Sequence, residues 1–167
     1  MLEAGFIEPC NHPTAWCSRS FFVQKPGVGP TKVRMVSDFR PVNRILRRPG
    51  YPYEGSTQIL KRLNPEEPFF ATIDLSSGYH QLTLHEDDCD LFAVILPQGK
   101  FRYRVLPQGI SPASNLFNIM TDEDIRNKPG FFKNMDDVLT TGKDIHQLKD
   151  RLINVLNTCR RRNIKLN

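Results

Sequence analysis

The segment Phe131-Phe132-Lys133-Asn134-Met135-Asp136-Asp137-Val138-Leu139 places an adjacent pair of carboxylates between two apolar runs. Apolar residues on both sides of a sharp acidic step are typical of two short strands that meet at a turn. A third carboxylate, Asp74, ends another strand-like run that begins at Phe69. Carboxylates brought to one point by separate strands suit a pair of magnesium ions. The pattern predicts a nucleotidyl-transfer site, but acidic doublets in turns are common, so the doublet alone does not decide the function.

Composition sets broad limits on the class of protein. The 167 residues, 39% of them hydrophobic, are enough for one domain with a buried core, or for one domain plus an appendage. The formal net charge is +5 and the isoelectric point is about 9.2. A basic excess attracts polyanions. An ordinary basic globular protein is the alternative on charge alone.

The N-terminal region shows no targeting signal, and the chain shows no membrane-spanning pattern. No apolar run approaches the roughly 18–20 residues of a membrane span, and Glu3, Glu8 and Pro9 interrupt any signal-peptide pattern. We therefore expect no membrane partner.

The cysteines do not form a zinc-finger pattern. None of Cys10, Cys17, Cys89 and Cys159 belongs to a Cys-x-x-Cys pair, so we expect reduced thiols in an intracellular compartment. Cys10, His12 and Cys17 could supply three zinc ligands, but no fourth ligand follows at finger spacing, which makes a zinc site the less favoured interpretation.

Hydrophobic periodicity predicts interleaved strands and helices. Both predicted strand pairs are hairpins, so we expect an α+β fold with helices on one face of a mainly antiparallel sheet. Residues 1–19 are predicted to be a helix remnant and a loop, 85–90 a solvated acidic turn, and 164–167 the start of a strand. The predicted strands are 20–25, 32–38, 69–75, 91–96 and 101–106, and the predicted helices are 56–63 (capped by Ser56), 111–125 and one that starts at Asp144.

Five blocks follow one another along the chain: KVRMVSDFRPVN at 32–43, IDLSSGYHQ at 73–81, LPQGISPA at 106–113, NMDD at 134–137 and IKLN at 164–167. In this order they resemble the fingers and palm of a reverse transcriptase from an LTR retrotransposon or a retrovirus-like pol polyprotein. LEAGFIEP at 2–9 resembles the lead-in of that family. The resemblance implies a right-hand polymerase fold with fingers and palm only. Its expected division is fingers 1–68, palm 69–90, fingers 91–107 and palm 108–167, with thumb, connection and RNase H absent.

The resemblance also implies a metal centre. Asp74 and Asp136 are the first-choice ligands and catalytic residues, and Asp137 is expected to point partly away because side chains alternate along a strand. The main-chain carbonyl of Leu75 is the further expected ligand. The expected cofactor is two Mg²⁺ ions, for which Mn²⁺ can substitute.

For the incoming deoxynucleoside triphosphate, the resemblance implies phosphate contacts from Lys25 and Arg34, with Lys32 as an alternative. Tyr79 is expected to lie under the sugar and exclude a 2′-hydroxyl. Gln108, followed by a flexible glycine, is expected to contact the nucleotide near its 3′ side.

The template and primer, RNA or DNA, are expected to bind mainly through phosphates. Arg44, Arg47 and Arg48 are the candidate contacts, with Asn134 and Met135 beside the primer end. Residues 160–162 are equally well explained as cations that close a helix.

One departure from the family pattern limits the functional prediction. Asn134 stands where the family usually has a tyrosine, so primer positioning is in question. The predicted function is RNA-directed DNA polymerase, with weak processive synthesis from this length of chain. The alternatives are a weak or inactive nucleic-acid-binding remnant and, less favoured because of Tyr79, an RNA-dependent RNA polymerase. The other pol domains are expected partners, and the expected location is the cytoplasm, a virus-like particle or the nucleus.

Overall fold

The computed structural model describes residues 1–24, 33–52, 54–122 and 128–167. They form two compact units. Unit 1 comprises residues 1–48 and 79–113, and unit 2 comprises residues 49–78 and 114–167. Helices and antiparallel sheets alternate along the chain, so the predicted α+β class is confirmed.

Unit 1 is built on a five-stranded sheet whose strands, in spatial order, are β1 (Ile7–Pro9), β6 (Gly99–Tyr103), β5 (Ala93–Leu96), β2 (Ser18–Gln24) and β3 (Val33–Ser37). Only the β2–β5 pair is parallel among the described strands; the other neighbours are antiparallel. Phe39 is buried and packs edge-on against Phe92 and Tyr103, each with its ring centroid 5.9 Å away. The described α-helices of unit 1 are α1 Arg40–Asn43 and α3 Glu86–Cys89.

Unit 2 is a three-stranded antiparallel sheet in the order β4-β8-β7, with α5 packed against β4 and β8. The helix predicted to start at Asp144 is α5, and Asp144 caps it by accepting a hydrogen bond from the Gln147 amide at 2.8 Å. Leu148, Val155 and Cys159 form the buried stripe of that helix. The elements are α2 Ser56–Arg62, β4 Phe69–Asp74, α4 Ala113–Asp122, β7 Phe131–Asn134, β8 Asp137–Gly142 and α5 Ile145–Arg161.

Four local predictions need correction. Residues 1–19 contain no helix: a turn leads into β1, which pairs with β6. Ser56 is the first residue of α2, and Gly55 occupies the N-cap without a side-chain hydrogen bond. Residues 86–89 form one turn of helix, α3; its acids are exposed as predicted, but Glu86 also pairs with Arg102. Near residue 164 there is only an isolated bridge, from Leu166 to Leu75.

The predicted division into fingers and palm stays a prediction. The compact units follow other boundaries, since residues 49–68 belong to unit 2 and residues 79–90 and 108–113 to unit 1. The turn that joins the first predicted strand pair, 20–25 and 32–38, lies outside the described residues. Among the described helices, none has the length and apolar character needed to cross a membrane.

Candidate active site

The register between β4 and β8 places two of the predicted carboxylates side by side. Asp74 lies directly opposite Asp137, and Ile73 lies opposite Val138. β4 is rich in aromatic and β-branched residues, which favour a pleated strand. Directly opposed residues point to the same face of a sheet, with their Cβ atoms about 5 Å apart. Asp137 therefore shares a face with Asp74, although the sequence predicted that it points partly away.

A tight hairpin brings in the third carboxylate. β7 ends at Asn134 and β8 begins at Asp137, so Met135 and Asp136 form a two-residue turn, as the sequence predicted. Met135 has a φ of 56°, in the left-handed region. A non-glycine residue there costs about 1 kcal/mol or more. Backbone strain of this kind is concentrated at functional sites.

Main-chain contacts fix Asp136 close to the end of β4. Its carbonyl oxygen accepts a hydrogen bond from the Leu75 amide at 2.9 Å. A Cβ placed on Gly78 would lie 3.5 Å from the Asp136 Cβ and 3.0 Å from the Phe117 ring. Glycine at position 78 thus permits the close approach of the Phe117 ring, whereas the distance to the Asp136 Cβ is an ordinary van der Waals contact.

The three carboxylates form a site of concentrated negative charge. Partial burial, and then the charges of Asp136 and Asp74, raise the pKa of Asp137 above its ordinary value. Among the residues that the structure describes, no ion pair involves these three carboxylates. Such a centre gains from a bound cation.

Asn167 makes two hydrogen bonds to Asp74. Its side-chain amide donates to the Asp74 carboxylate, and its main-chain amide donates to the Asp74 carbonyl at 3.1 Å. The sequence indicated only a strand start here and gave no role to Asn167. The contact joins residues 93 positions apart, so no local pattern reveals it. The sequence offered one signal, the place of Asn167 in the last of the five blocks, IKLN.

A buried lysine anchors the hairpin to α4. The Lys133 Nζ lies 3.0 Å from a carboxylate oxygen of Asp122, donates to Asn118 at 2.7 Å and sits 5.0 Å from the Phe117 ring centroid. The side chains of Lys133 and Asp122 are only 3% and 9% exposed. Buried ion pairs fix geometry because breaking one leaves an unpaired charge. Sequence reasoning missed this pair.

Asn134 also has a defined partner. Its side-chain amide donates to the Ser56 hydroxyl at 2.9 Å, which links the end of β7 to the start of α2. Asn134 and Met135 are both half-buried. The residue that departs from the family pattern is therefore integrated into unit 2.

The donor set of unit 2 fits a hard divalent cation. Asp74, Asp136 and Asp137 supply carboxylate oxygens, and Leu75 can supply a carbonyl oxygen next to Asp74. Magnesium and manganese prefer these oxygen donors, completed by water and substrate phosphates. Of the predicted site residues, unit 2 carries these four with Asn134 and Met135, at the end of β4 and in the hairpin of β7 and β8. Among the described residues, the group of acidic, histidine and cysteine ligand atoms that lie within 4.8 Å of one another does not include the three aspartates.

Unit 1 carries the other described candidates. Arg34 is exposed on β3, opposite Val23 of β2. Tyr79 is half-buried in a short 3₁₀ helix, Gly78–Gln81. Lys25 and Lys32 lie outside the described residues, and their phosphate contacts stay a prediction.

Asn43 shapes the loop that carries Gln108. Its side-chain amide donates to the Gly109 carbonyl at 2.9 Å, and its oxygen accepts from the Ser111 amide at 2.7 Å. Gly109 has a φ of 94°, which favours glycine. Gln108 is left exposed beside this fixed turn. Asn43 is a positioning residue that sequence reasoning did not single out.

The basic loop predicted to contact nucleic acid is exposed at all three arginines, Arg44, Arg47 and Arg48. Arg48 donates to the Ser111 hydroxyl at 3.1 Å, so it also supports the same loop.

Comparison with known proteins decides the family. The sequence model described as reverse transcriptase (RNA-dependent DNA polymerase) matches residues 23–167. This chain belongs to the reverse transcriptase family. The Pol polyprotein of the Drosophila melanogaster transposon gypsy is 33% identical over 83% of the chain, which covers 14% of that polyprotein. The Tf2-3 transposon polyprotein of Schizosaccharomyces pombe is 29% identical over 99% of the chain and 12% of its own length.

Solved reverse transcriptase structures establish the fold. A foamy viral protease-reverse transcriptase in complex with double-stranded DNA matches 99% of this chain and 28% of its own, with a TM-score of 0.88 and 24% identity. The foamy viral protein in complex with an RNA/DNA hybrid matches with a TM-score of 0.83 and 22% identity, over 99% of this chain and 22% of its own. The chain thus spans about a sixth or less of the first relatives and about a quarter of these structures.

Proposed function

We propose that this reverse transcriptase domain performs RNA-directed DNA synthesis, adding deoxynucleotides to the 3′ end of a primer with two divalent metal ions. The observation that carries the proposal is the register that places Asp74 opposite Asp137, with Asp136 in the adjoining turn. Family membership supports the same reaction.

The metal ions, when bound, stabilise the attacking and leaving oxygens of an in-line displacement. Asp74, Asp136 and Asp137 would hold them, with the Leu75 carbonyl as a further ligand. Burial, and then repulsion by Asp136 and Asp74, raises the pKa of Asp137. Bound cations would relieve the repulsion. The Asn167 amide holds the Asp74 carboxylate in place.

The triphosphate and the template-primer are the proposed partners of the exposed basic residues. Arg34 would grip phosphate oxygens through its planar guanidinium. Arg44, Arg47 and Arg48 would contact the nucleic-acid backbone, with Lys25 as a further phosphate contact. The other domains of a pol polyprotein, and the cytoplasm or a virus-like particle as the setting, belong to the same proposal.

Single-nucleotide addition tests the proposed activity directly. The parent chain is incubated with Mg²⁺ or Mn²⁺, one deoxynucleoside triphosphate and a DNA primer on an RNA template, and extension by one residue is measured. Asp136→Asn removes a metal ligand, so we expect a loss larger than the roughly 100-fold that follows loss of an outer-shell partner. Asp150→Asn is the matched control, because Asp150 is exposed on α5, and it should retain parental activity.

The inactive-remnant alternative gives a different pattern. A remnant would bind the duplex equally well with and without Asp136→Asn and would add no nucleotide in either case. Asn134 is the feature that motivates this alternative. If Asn134→Tyr restores addition to a chain that otherwise lacks it, the metal centre is competent and primer positioning is the defect.

The choice of sugar is tested at Tyr79. Tyr79→Ala should raise ribonucleotide incorporation relative to deoxynucleotide incorporation, because a ring that excludes the 2′-hydroxyl is removed. Tyr79→Phe keeps the ring and should leave the ratio unchanged. An equal ratio in all three proteins would remove Tyr79 from the nucleotide site.

A further inference from the structure

A second cluster of potential metal ligands lies in unit 1. The Cys10 Sγ is 3.7 Å from the His12 Nε2, and the His12 Nε2 is 2.9 Å from an Asp90 carboxylate oxygen. One ligand atom from each of the three residues lies within 4.8 Å of the other two. The sequence pattern offered Cys10, His12 and Cys17; the structure replaces Cys17 with Asp90, 78 positions from His12.

The ligand types and distances suit zinc. Thiolate, imidazole and carboxylate are its usual protein ligands, at about 2.3, 2.0–2.1 and 2.0–2.2 Å. Tetrahedral angles at these bond lengths put sulfur about 3.6 Å from nitrogen, and nitrogen about 3.4 Å from oxygen. The distance from the Cys10 Sγ to the His12 Nε2 is close to this value. Because the His12 Nδ1 is 3.9 Å from the same sulfur, the imidazole has to rotate to direct Nε2 at the ion. The nitrogen–oxygen distance has only to open by about half an ångström, which a carboxylate rotation provides.

The surrounding contacts hold the three ligands in place. The Cys10 amide donates to the Lys100 carbonyl at 3.0 Å, and the Lys100 Nζ donates to the His12 carbonyl at 2.7 Å. The Arg102 Nη1 donates to the Asp90 Oδ1 at 2.9 Å, and the other Asp90 oxygen, Oδ2, faces the His12 ring. Hydrogen bonds of this kind orient metal ligands and raise affinity.

Charge and exposure agree with a zinc ion that keeps one open position. A Cys10 thiolate and the Asp90 carboxylate together balance the charge of Zn²⁺. Cys10 is 3% exposed, which shields the sulfur, whereas the side chains of His12 and Asp90 are 50% and 38% exposed. Solvent can therefore provide the fourth ligand.

We propose that Cys10, His12 and Asp90 form a zinc-binding site that ties the segment after β1 to the segment after α3. The alternative without a metal is a His12–Asp90 ion pair beside a buried cysteine. Both fit the same distances, so a test must detect the metal–sulfur bond itself. The proposal is independent of the proposed polymerase function, because no residue of the acidic centre takes part.

Cobalt substitution provides that test. Co²⁺ added to the reduced 167-residue chain should produce thiolate-to-cobalt charge-transfer absorption, which Zn²⁺ then abolishes by displacement. The carboxylates of unit 2 cannot produce this band, since they contain no sulfur. Cys10→Ser should eliminate the band, and Asp90→Asn should weaken Co²⁺ affinity by about 10-fold or more.

Cys17→Ser is the matched control, because Cys17 is exposed in the same segment and lies outside the cluster. It should keep the full band and the full affinity. A parental chain without the band, or a band that survives Cys10→Ser, overturns the proposal. Far-ultraviolet circular dichroism of each variant separates loss of metal from loss of fold. Should Cys10→Ser fail to fold, His12→Gln provides a second variant, because it is a conservative change at an exposed position.

Discussion

Two clusters of carboxylates, one in each unit, differ in their counter-charges. The paired cluster of unit 1 is Glu8, Glu86 and Asp90 around Arg102. Its carboxylates lie 2.6, 2.5 and 2.9 Å from the Arg102 guanidinium. The unpaired cluster of unit 2 is Asp74, Asp136 and Asp137, with no ion pair among the described residues.

The pKa values of Glu86 and Asp90 are shifted in the opposite direction from the pKa of Asp137. Hydrogen bonds from Arg102 and Arg104 lower the pKa of Glu86, and those from His12 and Arg102 lower the pKa of Asp90. Burial and neighbouring carboxylates raise the pKa of Asp137. Glu8 and Glu86 have their cations built into the fold, whereas, among the described residues, Asp74, Asp136 and Asp137 lack a protein cation and are available to Mg²⁺. Asp90 is shared: one of its oxygens accepts from Arg102, and the other faces His12. Acidic residues are thus assigned by their partners rather than by their number.

Arg102→Met should give the largest change in stability. The Arg102 side chain is 16% exposed and serves three carboxylates. We expect a loss of about 2 kcal/mol in the free energy of unfolding, between the ~0.2–1 kcal/mol of an exposed pair and the ~3–5 kcal/mol lost from a buried one. Urea unfolding measures it. Arg19→Met, an exposed arginine on β2, should change stability by less than ~0.5 kcal/mol. Equal effects of the two substitutions would show that the cluster is not a structural unit.

Magnesium should supply the cation that the unpaired cluster lacks. Binding to the folded state alone stabilises it by about 1.4 kcal/mol when the Mg²⁺ concentration is tenfold above Kd. Thermal unfolding with and without Mg²⁺ measures the shift. Asp74→Asn should remove most of it, and Glu86→Gln should leave it intact. A shift that depends on Glu86 and not on Asp74 would reverse the assignment of the two clusters.

The paired cluster should contribute less stability in acid. Because the pKa of Glu86 is lower in the folded than in the unfolded chain, its contribution is present above the unfolded pKa of about 4.3. The contribution is lost as the pH falls through the folded pKa. The stability difference between the parent and Glu86→Gln should therefore shrink between neutral pH and pH 3, measured by urea unfolding. A constant difference would mean that the ion pair is not its source.

Asp137→Asn should give the smallest effect, and one of opposite sign. Removing one negative charge from the unpaired cluster relieves repulsion, so the metal-free chain should become slightly more stable. Addition of Mg²⁺ should then stabilise the variant less than the parent. The urea midpoint with EDTA and with Mg²⁺ measures both effects. A lower midpoint in EDTA would show that Asp137 is structurally required.

The sequence predicted elements better than it predicted register. The hairpin around Met135 follows from local apolar and acidic patterning, and its turn forms where expected. The sequence, however, favours Asp74 and Asp136 as the metal ligands and predicts that Asp137 points partly away. Side-chain alternation describes one strand and does not give its alignment with another. The register that sets Asp74 opposite Asp137 depends on the pairing of β4 with β8, which no local pattern encodes.

Long-range partners explain the other differences. The sequence pattern gives Lys133 no role, because its partners Asp122 and Asn118 lie on another element, α4. The acids of 85–90 were assigned to solvent because Arg102 is distant in sequence. For the same reason, a ligand search by finger spacing selected Cys17 and passed over Asp90.

The contact between Asn167 and Asp74 also bears on the synthesis of the chain. Asp74 is translated long before its partner, which follows 93 positions later. During that interval β4, with Phe69 and Phe70 largely exposed even in the folded state, has neither β8 nor residue 167 to pair with. Non-local pairings of this kind form late and leave strand edges open to aggregation. Nascent unit 2 thus exposes an unpaired strand during synthesis, and a ribosome stalled before residue 137 would carry unit 2 with its acidic centre unassembled.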